Sequence, residues 1–399
     1  MLFSKNTDSN FPVNAFQISW KNLRANPLSL ALNLILIAFG TGMLAMLLLG
    51  VSQVGDRLRD NARGVDLVVG AKGSPLQLIL SSIYFIDFPT GNISEQDARM
   101  LAANPMVKKA VPLALGDNYA GFRIVGTDTG YVSLHGLELA AGRFWSEDFE
   151  IVIGAEVARV QHLKPGDRVY GSHGLASQQD VHEDHPYIVS GVLKKKGSVA
   201  DNLVLTSLLS IWEMHGAEEA REITAMLVQY RSRLAMVALP AMVNRSTGMQ
   251  AASPAKESAR LFALIGVGVD TVRWLAIALM LLAGVSVFVS LYNSLRERVY
   301  DLAVMRVMGA SRRAIWGMII VEGMLLTTTG SLAGILLGHA AIHGIGYWQG
   351  SPQARLDGLV FLPQESWLLV AGMGIGLAAA ILPAVQAYRT DISQTMSKI

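Results

Sequence analysis

Three histidines fall in one polar stretch, His173 and then His182 and His185, with Asp180, Glu183 and Asp184 among them. His-x-x-His spacing beside carboxylates could hold zinc or copper, because neutral imidazole is the commonest metal ligand. The plainer reading is a solvated loop between strands, where histidines and acids gather because water accepts both. His339 and His343 are four apart and share one helix face. They could ligate a metal or haem, or relay protons. The plainer reading places them at a membrane interface, near Gly338, Gly344, Gly346, Tyr347 and Trp348. Glu322 is the sole acid between Ala314 and Ala354. An ionisable group in such a run turns towards protein. Glu322 is therefore expected to bond Arg306 or Arg312, or a group across a dimer, as a structural hinge rather than a proton carrier.

Other chemistries find no residues to perform them. No His-Glu-x-x-His is present, and His182-Glu-Asp-His185 is one residue too short. With no cysteine, disulfides, iron–sulfur clusters and thiolate zinc sites are excluded. No G-x-x-x-x-G-K-[ST] loop occurs, and Gly70-Ala-Lys-Gly-Ser has the wrong spacing to cradle a phosphate. Lys194–Lys196 reads as a solvated basic turn, the alternative being a contact with an anionic lipid or partner.

The elements that must position these residues follow from where charge is missing. The chain is 51% hydrophobic and only 16% charged, against about 25% in an ordinary soluble domain. Ala25–Gly55, Trp274–Leu295 and Ser366–Tyr388 contain no charge at all. Each is long enough for a span, which needs about 20 apolar residues. The sequence thus predicts an α-helical membrane protein with four transmembrane helices, over 27–54, about 273–295, about 314–342 and about 366–388. A large extracytoplasmic α+β insert, 55–265, separates the first two. Residues 1–26 read as an amphipathic helix along the inner surface, with Phe16, Trp20 and Leu23 at helical spacing. No cleaved signal is expected there. Residues 266–393 hold the last three spans.

Basic residues flank the spans on one side: Lys5, Lys21 and Arg24, then Arg296, Arg298, Arg306, Arg312 and Arg313, then Arg389 and Lys398. Such flanks stay cytoplasmic, so both termini are expected inside. The net charge of +2 gives no reason to expect nucleic acid.

Within the insert, Val65–Gly70, a helix capped by Ser94 and Val107–Leu115 read as βαβ. Short β-rich runs with turns follow over about 116–216. Glu222–Tyr230, Arg233–Val243 and Met249–Ala252 then restore α/β character. The insert is thus an α/β lobe split by a β-rich lobe.

After the second span comes Asn293-Ser-Leu-Arg-Glu-Arg-Val-Tyr-Asp-Leu-Ala-Val-Met-Arg-Val-Met-Gly-Ala-Ser311. Leu295, Val299, Leu302 and Met305 make one apolar face; Arg296, Glu297, Arg298, Asp301 and Arg306 occupy much of the rest. The spacing predicts one rigid amphipathic helix over Glu297–Met308, stopped by Gly309, suited to a groove on a soluble partner. Gly330, Gly334 and Gly338 give two G-x-x-x-G steps and are candidates for a dimer seam.

This segment resembles the motif after the second span of MacB/LolC/FtsX-type (type VII) ABC transporter permeases. Leu382-Pro-Ala-Val-Gln-Ala-Tyr-Arg389, Glu322-Gly323, Gly142-Arg-Phe144, Val152-Ile-Gly154, Gly166-Asp-Arg-Val169 and Val189-Ser-Gly-Val-Leu193 are similar to further family motifs. Arg298 and Asp301 depart from the acids or Glu-Ile-Gly triad of many relatives. The resemblance implies a homodimeric permease subunit in a bacterial inner membrane, with porter-like and β-rich lobes in the periplasm. It implies no catalytic residue and no cofactor on this chain beyond the possible histidine-loop metal. ATP and Mg are expected on two copies of a cytoplasmic ATPase docked at Arg296, Glu297, Arg298, Asp301, Leu302, Met305, Arg306 and Gly309. A periplasmic adaptor or binding protein and membrane lipid are further expected partners. The expected action is mechanotransmission, in which ATP hydrolysis moves the periplasmic domain to export or release a substrate. The alternative is a metal-linked sensor or activator of the same architecture that moves nothing.

Overall fold

The structure, a computed structural model, describes residues 19, 21, 24, 26–173, 186–214, 216, 221–348 and 356–389. The predicted helix ahead of the first span lies mostly outside them. The described residues fall into two compact units: those within Gln53–Gly266 in one, and those within 1–52, 267–348 and 356–389 in the other. The first described element, α1 (Pro27–Asn61), is uncharged until Asp56 and continues as helix past the end of its apolar run.

The unit from Gln53 to Gly266 opens with β1 (Leu67–Ala71) and α2 (Pro75–Ser82). Ser74 caps α2 by accepting from Gln77 N at 3.4 Å, and Pro75 supplies a preset first turn. β2 (Ile93–Ser94) leads into α3 (Glu95–Ala102), where Ser94 Oγ accepts from Asp97 N at 3.1 Å. β3 (Val107–Tyr119), β4 (Phe122–Thr127), α4 (Thr129–His135), β5 (Leu139–Gly142) and β6 (Glu150–Ile153) follow. Next come α5 (Ala155–Gln161), β7 (Arg168–Val169), β8 (Ser172–His173), β9 (Tyr187–Leu193), β10 (Leu203–Ser207) and α6 (Leu208–Met214). β11 (Glu222–Ile223), β12 (Ala225–Tyr230), α7 (Arg233–Ser246) and β13 (Met249–Ala252) complete the unit.

One continuous sheet runs β13-β1-β12-β3-β4-β10-β6-β9-β5. The strand that joins its halves is β3. Val107–Leu113 pairs antiparallel with β12, and Ala114–Tyr119 pairs with β4 through an irregularity between Leu115 and Asn118. The two lobes expected from the sequence are therefore stretches of one sheet. The second also carries α4, α5 and α6, so it is less purely β than its turns suggested. Period-2 alternation sends Leu67, Val69, Met226 and Val228 into one core, and Val68 and Leu227 into another. That second core continues under the other half of the sheet, taking Val125, Val152, Leu193 and Leu205.

The other unit contains α1 up to Ser52, α8 (Pro254–Glu297) from Val267 onward, α9 (Val299–Val307), α10 (Arg312–Trp348) and α11 (Ser366–Arg389). The four long helices are each apolar and long enough to cross a membrane, and α10 is the most buried, at 56% against 28–39% for the others. Its glycines explain why. A Cβ on Gly330 would lie 2.9 Å from Ile37, and one on Gly338 would lie 2.8 Å from Gly42 O. One on Gly334 would overlap Thr41 Oγ1. These three glycines were expected between two copies of the chain; they instead seat α1 of the same chain. Small residues at that spacing serve any close helix pair, and here the intrachain neighbour occupies the face. Elsewhere on α10, Gly323 meets Gly376 and Ala380 of α11.

Two outcomes follow. Gly334→Val should destabilise this unit by about 1–3 kcal/mol, whereas Gly374→Ala, with open space around it, should leave the detergent melting temperature unchanged. The second concerns His135, at the end of α4. Burial, then Lys196 and Lys109, lower its pKa from 6.5 to about 4. The unfolded chain binds that proton first, so the associated stability is complete above pH 6.5 and is lost as pH falls towards 4. The acid limb of a melting-temperature profile between these values should flatten in His135→Phe.

Candidate functional site

The helix from the second span does not continue intact. Arg298, with φ −109° and ψ 14°, separates α8 from α9. The backbone stays bonded through the turn: Arg298 N donates to Leu295 O at 3.2 Å and Leu302 N to Arg298 O at 3.0 Å. The single helix expected over Glu297–Met308 is thus corrected to an elbow. The turned residue is also the one whose side chain is drawn inward. Arg298 Nη1 lies 4.0 Å from Glu322 Oε1, the side chains 19% and 7% exposed. At that separation the pair acts through charge rather than a tight hydrogen bond. The sequence had offered Arg306 or Arg312 as partner. The guanidinium of Arg312 instead lies over the Tyr388 ring, 5.9 Å from its centroid.

Beyond the elbow, α9 is held by its apolar side. Leu302 and Ala303 are buried, and Met305 packs on the same cluster as Leu295, Ile315 and Ala384. Arg306 is half-buried. Facing outward are Arg296, Glu297, Asp301 and Gly309, with three apolar side chains: Tyr300, Val307 and Met308, at 54%, 67% and 76% exposed. Gly309, at φ +103°, ends the segment in a conformation that favours glycine. Ala310 N returns to Met305 O at 3.0 Å, and Ser311 Oγ accepts from Ala314 N at 3.1 Å to start α10.

Glu322 belongs to a polar node that sequence reading had not assembled. A cavity of about 20 Å³ is lined by Asn26, Ser29 and Asn33 of the first span and its approach, Ser290 and Ser294 of α8, and Glu322. That volume admits roughly one water. Ser29 Oγ and Ser290 Oγ are 2.8 Å apart. Asn33 Nδ2 donates to Ser29 Oγ at 3.5 Å, while the buried Asn33 Oδ1 has no hydrogen-bond partner. The available signal was the i, i+3, i+7 placement of Asn26, Ser29 and Asn33 on one face of an apolar run.

The histidines fare differently. His339 is buried: its Nδ1 is 2.7 Å from Gly358 O, its Nε2 is 2.8 Å from Glu365 Oε2, and its ring stacks on Phe361. His343, four residues on, is exposed. The pair therefore does not converge on a shared ligand. The backbone of His173 pairs with Asp117 in the sheet; His182 and His185 lie outside the described residues. Among the described residues, no group of three or more His, Asp or Glu side chains is placed to hold a metal.

Comparison with known proteins agrees with this layout. Residues 28–245, more than half the chain, match the MacB-like periplasmic core domain, and residues 274–392 match the FtsX-like permease C-terminal domain. The chain belongs to the MacB/FtsX-type ABC transporter permease family. Its relatives include the pyoverdine export ATP-binding/permease protein PvdT of Pseudomonas syringae pv. tomato, 24% identical over 82% of this chain and 51% of that protein. Another is the macrolide export ATP-binding/permease protein MacB of Nitrobacter winogradskyi, 23% identical over 67% of this chain and 41% of that one. The chain spans about half the length of the curated relatives it matches. A solved structure of the periplasmic region of MacB from Actinobacillus actinomycetemcomitans covers 51% of the chain, with 97% of its own length aligned, at 13% identity and a TM-score of 0.36. A likeness that weak adds nothing to the family match.

In this permease the elbow and the node share Glu322, which makes their coupling measurable. Glu322→Leu should destabilise the protein by roughly 3 kcal/mol, the usual result of stranding one member of a buried pair. Glu322→Gln, which removes the charge and keeps the shape, should lose nearly as much. Thermal melting in detergent of both variants checks this; a Gln variant as stable as the parent would remove the charge from the explanation.

Proposed function

We propose that this chain is the non-catalytic permease subunit of an ABC exporter, working as a homodimer with two copies of a separate cytoplasmic ATPase. The observation that carries the reading is the outward tip of α9. A protein surface exposing Tyr300, Val307 and Met308 beside Arg296, Glu297 and Asp301 has the mixed apolar and charged character of a docking element. The 399 residues include no phosphate-cradling loop of their own. The arginines at the ends of α8, α10 and α11 support a cytoplasmic placement of this side, and with it a bacterial inner-membrane protein whose insert is periplasmic.

Coupling on this reading is mechanical. The ATPase moves α9; Arg298 transmits the movement to Glu322 on α10; α1 and α8, which continue as helix into the sequence of the outer unit, carry it onward. Substrate is expelled or released by the periplasmic domain rather than drawn through the helices. The activities for which the relatives are named, pyoverdine and macrolide export, support export.

The test is ATP hydrolysis in lipid nanodiscs. The chain alone should show none, and the candidate ATPase should be stimulated by it. Asp301→Arg and Arg296→Glu should reduce that stimulation by roughly tenfold or more while leaving the melting temperature near the parent's. Hydrolysis by the chain alone, or full stimulation in both variants, would refute the assignment.

A further inference from the structure

At the ends of α10 and α11, beyond the elbow, lies an open groove of about 240 Å³ lined by Arg313, Trp316, Val385 and Tyr388. It sits where the apolar runs stop: α10 begins at Arg312 and α11 ends at Arg389. Trp316 and Tyr388 stay 38% and 40% exposed, and Arg312, Arg313 and Arg389 are exposed as well. Among the described residues, none that lines the groove is acidic. One guanidinium, that of Arg312, already lies over the Tyr388 ring.

We propose that this groove binds the headgroup of an anionic phospholipid, with the start of one acyl chain against Trp316 and Val385. The occupant follows from the two kinds of side chain gathered at the groove. The arginines have guanidinium forks that match phosphate oxygens. Trp316 and Tyr388 are amphipathic aromatics of the type that sits where headgroup meets hydrocarbon. A free phosphate would use only the first kind and a neutral lipid only the second. Basic pockets between membrane helices on the cytoplasmic side recognise anionic headgroups for this reason. The volume, below the roughly 300 Å³ of the smallest drug-sized pockets, suits a headgroup better than a folded segment. Bound there, lipid would brace the start of α10, the helix that carries Glu322.

The inference rests on the chain spanning a membrane and is independent of the ATPase reading, because no nucleotide is involved in the test. The full chain in detergent is titrated with short-chain phosphatidylglycerol, with phosphatidylcholine of the same chain length, and with inorganic phosphate, and occupancy is read by native mass spectrometry. Phosphatidylglycerol should be retained in preference to phosphatidylcholine, and inorganic phosphate should not displace it. Arg313→Gln should weaken phosphatidylglycerol about fivefold, and Arg312→Gln/Arg313→Gln roughly 25-fold. Arg245→Gln, an equal loss of charge in the outer unit, should leave it unchanged. Should the double variant melt early, Arg312→Lys/Arg313→Lys replaces it and should keep selectivity for the anionic lipid. Undiminished binding in the double glutamine variant, equal uptake of both lipids, selectivity lost in the lysine pair, or full displacement by phosphate would each overturn the proposal. Protection of the groove by the ATPase partner with no lipid retained would overturn it in favour of a protein interface.

Discussion

Backbone-to-backbone contact along α10 is the constraint on which the membrane unit depends. Gly330, Gly334 and Gly338 let α1 approach on one face, while Gly323 meets Gly376 of α11 on another. Lipid provides no hydrophobic drive between apolar helices, so association rests on close packing and on interhelical polar contacts. α10 supplies both. The same helix carries the small-residue faces, Glu322 near one end and His339 near the other. The polar groups are consequently held at fixed positions against α1, α8 and the loop ahead of α11.

Much of the fold was legible. Uncharged runs marked the spans because each unpaired charge in hydrocarbon is expensive. Alternating and capped segments marked most of the outer unit's strands and helices. Its organisation was less visible, since β3 reads as an ordinary strand to Leu115 and then as turn-rich sequence. Only pairing shows that the strand continues to Tyr119 and joins two halves of one sheet. Strand partners are set by tertiary contact, which local periodicity does not encode.

The candidate site divides along the same line. Residue types announced that Glu322 needed a partner and that the segment after α8 was amphipathic. Which arginine answers Glu322, and that the helix turns at that residue, depended on where α10 stands relative to α8. Likewise, the glycines of α10 declared a close approach but not to which helix, because the spacing is the same for a neighbour and for a second copy. The partner of His339 was hidden for a related reason: Glu365 lies across a loop, beyond the reach of helical spacing.

The order of the main sheet bears on how the outer unit is made. β1 emerges early, yet both strands that flank it, β12 and β13, lie at the far end of the insert, with Leu67 opposite Val228 and Val68 opposite Ala252. A chain growing from its N-terminus therefore exposes two open β edges on one hydrophobic strand until nearly the whole insert has been synthesised. Pairings this distant in sequence close slowly, and an unpaired apolar edge invites association with other chains. Biogenesis of this unit, rather than its finished stability, is the stage at which it is most vulnerable to aggregation.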